Sequence, residues 1–363
     1  MMENVNGLSP ELIVHPGETI KELLEDKGMT QEELATRTGY TPKHVSEIIS
    51  GKKNISAKFA NTLEYALGVP TEFWINLQGI YDKNIIELEK ANNISLKEYD
   101  ILEQLKDIVA YCNDIKIFQH TTNKSVTILN LRKFLNVNDL SYIEKLPIKQ
   151  VAFRASKKNT VNIYVLYAWQ KICEYLTNDI ILDDKFNKDM LKNKYDEIKS
   201  TMFLEANEMI RKLKLIFKEC GIVFEVVKHF TGAPVQGFIK KNKDNIIMCL
   251  TIRQAFSDIF WFTLFHEIGH LVNDDFEDIY IDIDNKFSDN LKEQKADKFA
   301  RNILINEKEY NDFIKNNNIN IISVRNFAKN QNVLPGIVIG RIQNNQNNYS
   351  LLTKYKEKYA WKN

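Results

Sequence analysis

The sequence predicts a mainly α-helical protein with one small β-sheet, and three observations predict it. Residues 11–80 break into short stretches of helical apolar spacing, opened by Thr, Ser or Pro and mostly closed by Gly. From Asp82 to Asn123 the spacing stays helical and polar, and no Gly or Pro interrupts it. GIVFEVVKHF, which starts at Gly221, and VQGFIKKNKDNIIMCLTI, which ends at Ile252, alternate as strands. The expected organisation is an all-α domain over residues 1–82, a helical middle region over 83–195 and an α+β domain over 196–363.

At 363 residues the chain is long enough for two or three domains with cores of their own. Apolar residues make up 44% and charged residues 27%, the balance of an ordinary soluble protein. A net charge of +1 excludes overall attraction to nucleic acid or membrane, so any such binding has to be local. Cys112, Cys173, Cys220 and Cys249 form no C-x-x-C pair and suit a reducing compartment. No apolar run approaches the roughly 20 residues of a membrane span, and no signal-peptide pattern opens the chain. The expected location is cytoplasmic, with no membrane partner.

The first helices follow from their ends. HPGETIKELLEDKG has Pro16 near its start and Gly28 at its close. Thr30 caps TQEELATRTG, and Glu33 stands where a capping box needs it. Thr41 opens TPKHVSEIISGKK, Ser56 opens SAKFANTLEYALGV, and Thr71 opens TEFWINLQGIYD. Helix, Gly-containing turn, helix is the helix-turn-helix pattern, with Ala35, Val45 and Ile48 as core positions. Favourable charge for a phosphate backbone is confined to Lys43, Lys52, Lys53 and Lys58, because acidic residues outnumber basic ones before Asp82.

This segment resembles the Xre-type domain of HigA-family antitoxins along almost its whole length. The resemblance implies that Thr41 to Ser50 is the recognition helix, with Gln31, Lys43, His44 and Ser46 facing operator DNA. Lys52 and Lys53 are expected at phosphates. One such helix reads few base pairs, so a homodimer through this domain is expected. A domain used only for dimerisation or partner docking is the alternative.

In the middle region Tyr167 and Trp169 are expected in aromatic packing. TMFLEANEMIRKLKLIFKECG then predicts an amphipathic helix that ends at Gly221, followed by the strands. Next comes FWFTLFHEIGHLVN, Phe260 to Asn273, with His266, Glu267 and His270 in the order H-E-x-x-H. On a helix His266 and His270 lie one turn apart on one face, close enough to grip one metal ion. Glu267 can reach a water on that ion. Gly269 costs about 1 kcal/mol of helix propensity, but it lets another backbone approach. A catalytic zinc needs three protein ligands, and no third His follows at short spacing. LKEQKADKFARNILI offers Glu293 as the third, and Asp297 can accept the outer N–H of a ligand His. Helix, small sheet and H-E-x-x-H helix is the order of a minimal zincin-like domain. The acidic run from Asp274 to Asp284 reads as a solvated loop, and His229 and Tyr280 are further polar candidates for the pocket.

GAPVQGFI, IIMCLTIR, FWFTLFHEIGHLV, EQKADKFA and LPGIVIGRIQ resemble the ImmA/IrrE metallopeptidase family over roughly the last 165 residues. The resemblance implies one Zn2+ per chain on His266, His270 and Glu293, with Glu267 as the base. Lys295 departs from it, since a second Glu is usual there, and ARNILIN lacks the common Pro. The implied activity is zinc endopeptidase cleavage of a helix-turn-helix repressor or antitoxin at the same locus, with a cognate toxin as a further partner. The alternative is a HigA-like antitoxin or regulator whose zincin domain senses a signal or binds a partner without turnover. A strand such as Ile246 to Leu250 is expected to hold an extended target segment through main-chain hydrogen bonds.

Overall fold

A computed structural model describes residues 13–146, 161–182, 184–252, 255–273, 279–283, 291–316 and 319–359, with residues 91, 92 and 279–283 described by backbone alone. The chain divides into two compact units. The first runs to Glu103 and takes in Phe118–Lys133, and the second comprises Gln104–Ile117 and everything from Phe134 onward. The segment expected as a middle region therefore contributes to both.

In the first unit α1 (Pro16–Asp26), α2 (Gln31–Thr38), α3 (Pro42–Ile49) and α4 (Ala57–Leu67) start where the caps place them. Thr30, Thr41 and Ser56 each accept from a backbone N–H three residues on. The Thr30 capping box is half-formed, because Glu33 turns away to bind Arg37 at 2.6 Å. Gly39 ends α2 in the left-handed conformation (φ 71°), which glycine adopts without steric cost. Ala35, Val45 and Ile48 are fully buried, in a core shared with Ile20, Phe59, Leu63 and Trp74.

The fifth helix, α5 (Thr71–Asn92), runs past the expected boundary at residue 82. It anchors the loop after α3: Gln78 accepts from the backbone N–H of Ile55 at 2.8 Å, and Asp82 accepts from Asn54 at 3.1 Å. Then α6 (Leu96–Gln104) precedes α7 (Lys106–Asp114), which belongs to the second unit. Next, α8 (Lys124–Leu135) joins α6 through a bidentate pair in which Arg132 donates to buried Glu98 at 2.8 and 2.6 Å.

The second unit is built on a four-stranded sheet ordered β1-β3-β2-β4. In the chain come α9 (Ile163–Asn178), α10 (Lys188–Asn193), α11 (Tyr195–Ser200) and α12 (Ala206–Glu219), and then β1 (Ile222–Val227), β2 (Val235–Asn242) and β3 (Asn245–Thr251). After them follow α13 (Ser257–Asn273), β4 (Ile279–Ile283), α14 (Leu291–Leu304), α15 (Glu307–Asn316), α16 (Ile321–Asn330) and α17 (Pro335–Gln346). Strand β1 runs parallel to β3, while β2 is antiparallel to both β3 and β4. One face, with Phe224, Ile239, Met248 and Leu250, joins the core of α12 and α13. On the other face Trp169 of α9 meets Phe238 edge-on at 6.1 Å. Trp169 is fully buried, and the Tyr167 hydroxyl donates to the Leu135 carbonyl at 3.1 Å. Part of the expected middle region is thus a layer of the second unit.

Two expectations are corrected. Strand β4 falls in what reads as a loop, although Ile279, Ile281 and Ile283 alternate as strand residues do. Strand β3 is paired on both sides, so Ile246 to Leu250 has no edge for an added strand. Asp274, Asp275, Glu277, Asp278 and Asp284 of the acidic run lie outside the described residues.

The cap on α1 is His15, whose Nδ1 accepts from the Gly17 N–H at 2.9 Å and so has to be unprotonated. Burial, the largest influence, lowers its pKa, and Asn54, Asp82 and Glu18 oppose the shift. Because the folded pKa lies below the unfolded one, the unfolded chain takes up the proton first. Stability is then full above an ordinary imidazole pKa of about 6.5 and falls as pH drops through the folded value. Urea midpoints of the first unit in the full chain are expected to fall between pH 7.5 and 5.5. His15→Asn, which still caps, is expected to flatten that dependence; an unchanged slope would refute the cap.

Candidate metal centre and nucleic-acid face

Helix α13 is apolar on nearly every side, with Phe260, Trp261, Leu264, Phe265, Ile268 and Leu271 all buried. Its first turn is tied to the end of the chain: Ser257 N–H donates to the Glu357 carbonyl at 2.9 Å, and Trp261 Nε1 donates to the Tyr359 hydroxyl at 3.0 Å. Asp258 pairs with Lys356 at 2.7 Å where both are nearly buried. Burial raises the Asp258 pKa and Lys356 opposes the shift.

One turn apart on this helix, His266 and His270 point their Nε2 atoms to one place, 3.0 Å from each other. Glu293 of α14 brings Oε2 to 3.2 Å from the first and Oε1 to 3.6 Å from the second. The three ligand atoms lie within 4.8 Å of one another. His266 Nδ1 is 2.9 Å from Asp297 Oδ1, and a proton donated there leaves the Nε2 lone pair facing Glu293. Two imidazole lone pairs and a carboxylate converging in a buried place are a donor set for a divalent cation, and these residues fit one. Their chemistry admits zinc and other divalent metals.

What brings Glu293 within reach is the meeting of α13 and α14. A Cβ at Gly269 would lie 3.1 Å from the Ala296 Cα and from a Phe299 ring carbon. Tyr195 packs edge-on to both Phe265 and Phe299, and burial pushes its hydroxyl up to about 12. Glu267 is fully buried, with its carboxylate against the backbone of β2 at Gly237. Beside it the Thr263 hydroxyl donates to Gln236 at 3.1 Å. Gly237 and Gln236 carry no motif of their own, and the signal in the sequence is a Gly inside a strand pattern. His229 follows β1 and is half-buried, and Tyr280 pairs through its backbone with Ile239.

On the first unit Gln31, Thr41, Lys43, Ser46, Lys52 and Lys53 are all exposed. They do not stand alike. Thr41 is held as the cap of α3. His44 stacks on Tyr40 at 4.6 Å and meets Phe59 edge-on at 5.4 Å, so it supports the helix as well as edging its outer face. Glu47 sits between two lysines, 2.6 Å from Lys53 and 3.9 Å from Lys43. Its pKa is lowered, first by the hydrogen bond from Lys53. Part of the positive charge expected at phosphates is therefore answered within the domain.

The family models match both ends of this arrangement. A helix-turn-helix model covers residues 20–74, and an IrrE N-terminal-like domain model covers residues 249–336. Virulence-associated protein A' of Dichelobacter nodosus is 38% identical over 81 residues, which are 22% of this chain and 70% of that protein. Virulence-associated protein I of the same organism is 31% identical over 80 residues, 22% of this chain and 74% of that one. An uncharacterized HTH-type transcriptional regulator of Escherichia coli K12, YddM, is 28% identical over 80 residues, 22% of this chain and 83% of its own. The chain belongs to the helix-turn-helix family, and its residues 249–336 match the IrrE N-terminal-like domain. The IrrE-type match contains His266, Glu267, His270, Glu293 and Asp297, but β1 and β2 precede it.

Asp297→Ala is expected to weaken metal binding by roughly 10- to 100-fold, since a ligand His would lose the group that orients it. Gly269→Val is expected to weaken it further, because it moves Glu293 itself. Competition with a chromophoric chelator measures both; wild-type affinity in the Gly269 variant would show that the helix contact does not set the site.

Proposed function

We propose that the chain is a DNA-binding, zinc-dependent endopeptidase that cleaves a helix-turn-helix repressor or antitoxin at its own locus. The observation that carries this is the convergence of His266, His270 and Glu293 with Glu267 next in the chain to the first of them. These three would hold the ion. When bound, zinc lowers the pKa of a coordinated water towards 7 and polarises a carbonyl. Glu267 takes the proton of the attacking water and returns it to the leaving amine. Asp297 keeps His266 in one tautomer, and the burial of His266 and His270 strengthens charge interactions at their Nε2 atoms. Such a site suits a cytoplasmic enzyme with one zinc per chain.

The first unit supplies the address. Lys43, Lys52 and Ser46 face outward for an operator, and a homodimer would read two half-sites. On that operator, or in a mixed dimer, the target's effective concentration would reach the millimolar range for a short linker. The non-catalytic reading, a regulator whose metal domain only senses or docks, has one observation in its favour: the match to a transcriptional regulator. A buried carboxylate beside the ligands serves turnover and has no use in a sensor.

The decisive measurement pairs zinc content with cleavage of a co-encoded helix-turn-helix protein. Wild type is expected to hold one zinc and cleave, and chelator is expected to stop cleavage. Glu267→Gln is expected to keep the zinc and lose about 100-fold or more in rate. Full zinc in His266→Ala, His270→Ala and Glu293→Ala alike would sink the assignment. Removing residues 1–80 is expected to slow cleavage of the whole target far more than cleavage of a short peptide with the same site.

A further inference from the structure

The carboxylate of Glu267 occupies space that only a glycine leaves. A Cβ built on Gly237 would stand 1.8 Å from Glu267 Oε1, 2.3 Å from Cδ and 2.8 Å from Cγ. Three atoms of one side chain thus lie in the volume of a single methyl group. Glu267 has no exposed surface, and α13 is fastened at its first turn by Glu357, Lys356 and Tyr359 and along its length by α14. These contacts hold the helix against the strand. Nor does the backbone of β2 call for glycine here, since Gly237 is not among the residues with positive φ. The pairing of β2 with β4 is irregular between Val235 and Gly237, so the strand departs from its ladder beside this niche.

We propose that Gly237 is a positioning residue: its missing side chain forms the niche that holds the carboxylate of Glu267, the residue next in the chain to His266. The inference rests on the reading of Glu267 as the base. Any side chain at 237 evicts that carboxylate, while the ligands, which stand on α13 and α14, keep their places. Loss of turnover is then separated from loss of metal. A residue needed only for the strand would not act through Glu267.

A four-member set in the full chain tests this: wild type, Gly237→Ala, Glu267→Ala and the double variant. Gly237→Ala is expected to bind as much zinc as wild type and to cleave the helix-turn-helix target on the order of 100-fold more slowly. It is also expected to lower the melting midpoint by about 3 °C, the order of a modest overpacking cost in a domain of this size. In the Glu267→Ala background the carboxylate is gone and the methyl has room. There Gly237→Ala is expected to leave the midpoint where Glu267→Ala alone puts it. An equal change in both backgrounds, zero included, overturns the proposal. So does cleavage by Gly237→Ala at the wild-type rate. If the wild-type chain cleaves nothing, the peptidase reading fails, and the melting comparison still decides whether Gly237 houses Glu267.

Discussion

The approach of α13 to α14 at Gly269 and Ala296 is the constraint on which the candidate metal centre depends. Two of the three ligands are fixed by helical periodicity alone, since residues four apart share a face. The third comes from another helix, and its distance is set by the space the intervening residues leave. A Cβ at Gly269 would lie only 3.1 Å from the Ala296 Cα, so glycine there leaves the room in which the helices stand this close. That nearness carries Glu293 to 3.2 Å from His266 and sets Asp297 behind the same ring. The helix propensity lost at Gly269, about 1 kcal/mol, is small beside what the close packing makes possible.

Burial gives this arrangement its force and its cost. His266, Glu267 and His270 sit in a helix whose other side chains are nearly all apolar and hidden, where a polar group without a partner costs roughly 1–3 kcal/mol. The second unit answers with polar groups from distant parts of the chain. Asp297 Oδ1 pairs with His266 Nδ1, Lys356 pairs with Asp258, and the Tyr359 hydroxyl accepts from the Trp261 N–H. The C-termini of neighbouring helices are met in the same way. Arg341 donates to the carbonyl of Ile305 at 3.0 Å, and Lys199 donates to those of Ile303 and Gln331, both at 3.2 Å. Burial lowers the pKa of each of these two cations.

Much of this was legible in the sequence because it is local. Thr30, Thr41 and Ser56 announce helix starts through their own hydroxyls, and H-E-x-x-H states its geometry by spacing. What was missed is non-local or ambiguous. His15 caps a helix although His is not among the favoured caps, because Asn54, Tyr81 and Asp82 surround it in the fold. Helix α9 reads as one helix among several; only the sheet shows that Trp169 is there to cover Phe238. Strand β4 carries five residues of clear alternation, set in an acidic stretch that speaks for a loop. The interior place of β3 follows from pairings with β1 and β2 that no single segment contains. On the first unit the lysines were visible, but their answer by Glu47 was not, because Lys53 reaches it by folding back from the loop after α3.

The reach of the metal centre is therefore wider than its motif. The candidate ligands His266, His270 and Glu293, the proposed base Glu267 and Asp297 all fall between residues 266 and 297, well inside the segment matched to the IrrE-type domain. Yet the niche for Glu267 is made by Gly237, ahead of that segment, and the far face of its strand is covered by Trp169, earlier still. The first turn of α13 is held by residues 356–359, beyond the segment's other end. A helix that carries reactive groups in an apolar interior can be held in register only by packing on every side. The surrounding elements arrive from about 100 residues before the motif and about 90 after it. The chemistry is written in one short stretch, and the precision of its placement is distributed over most of the second unit.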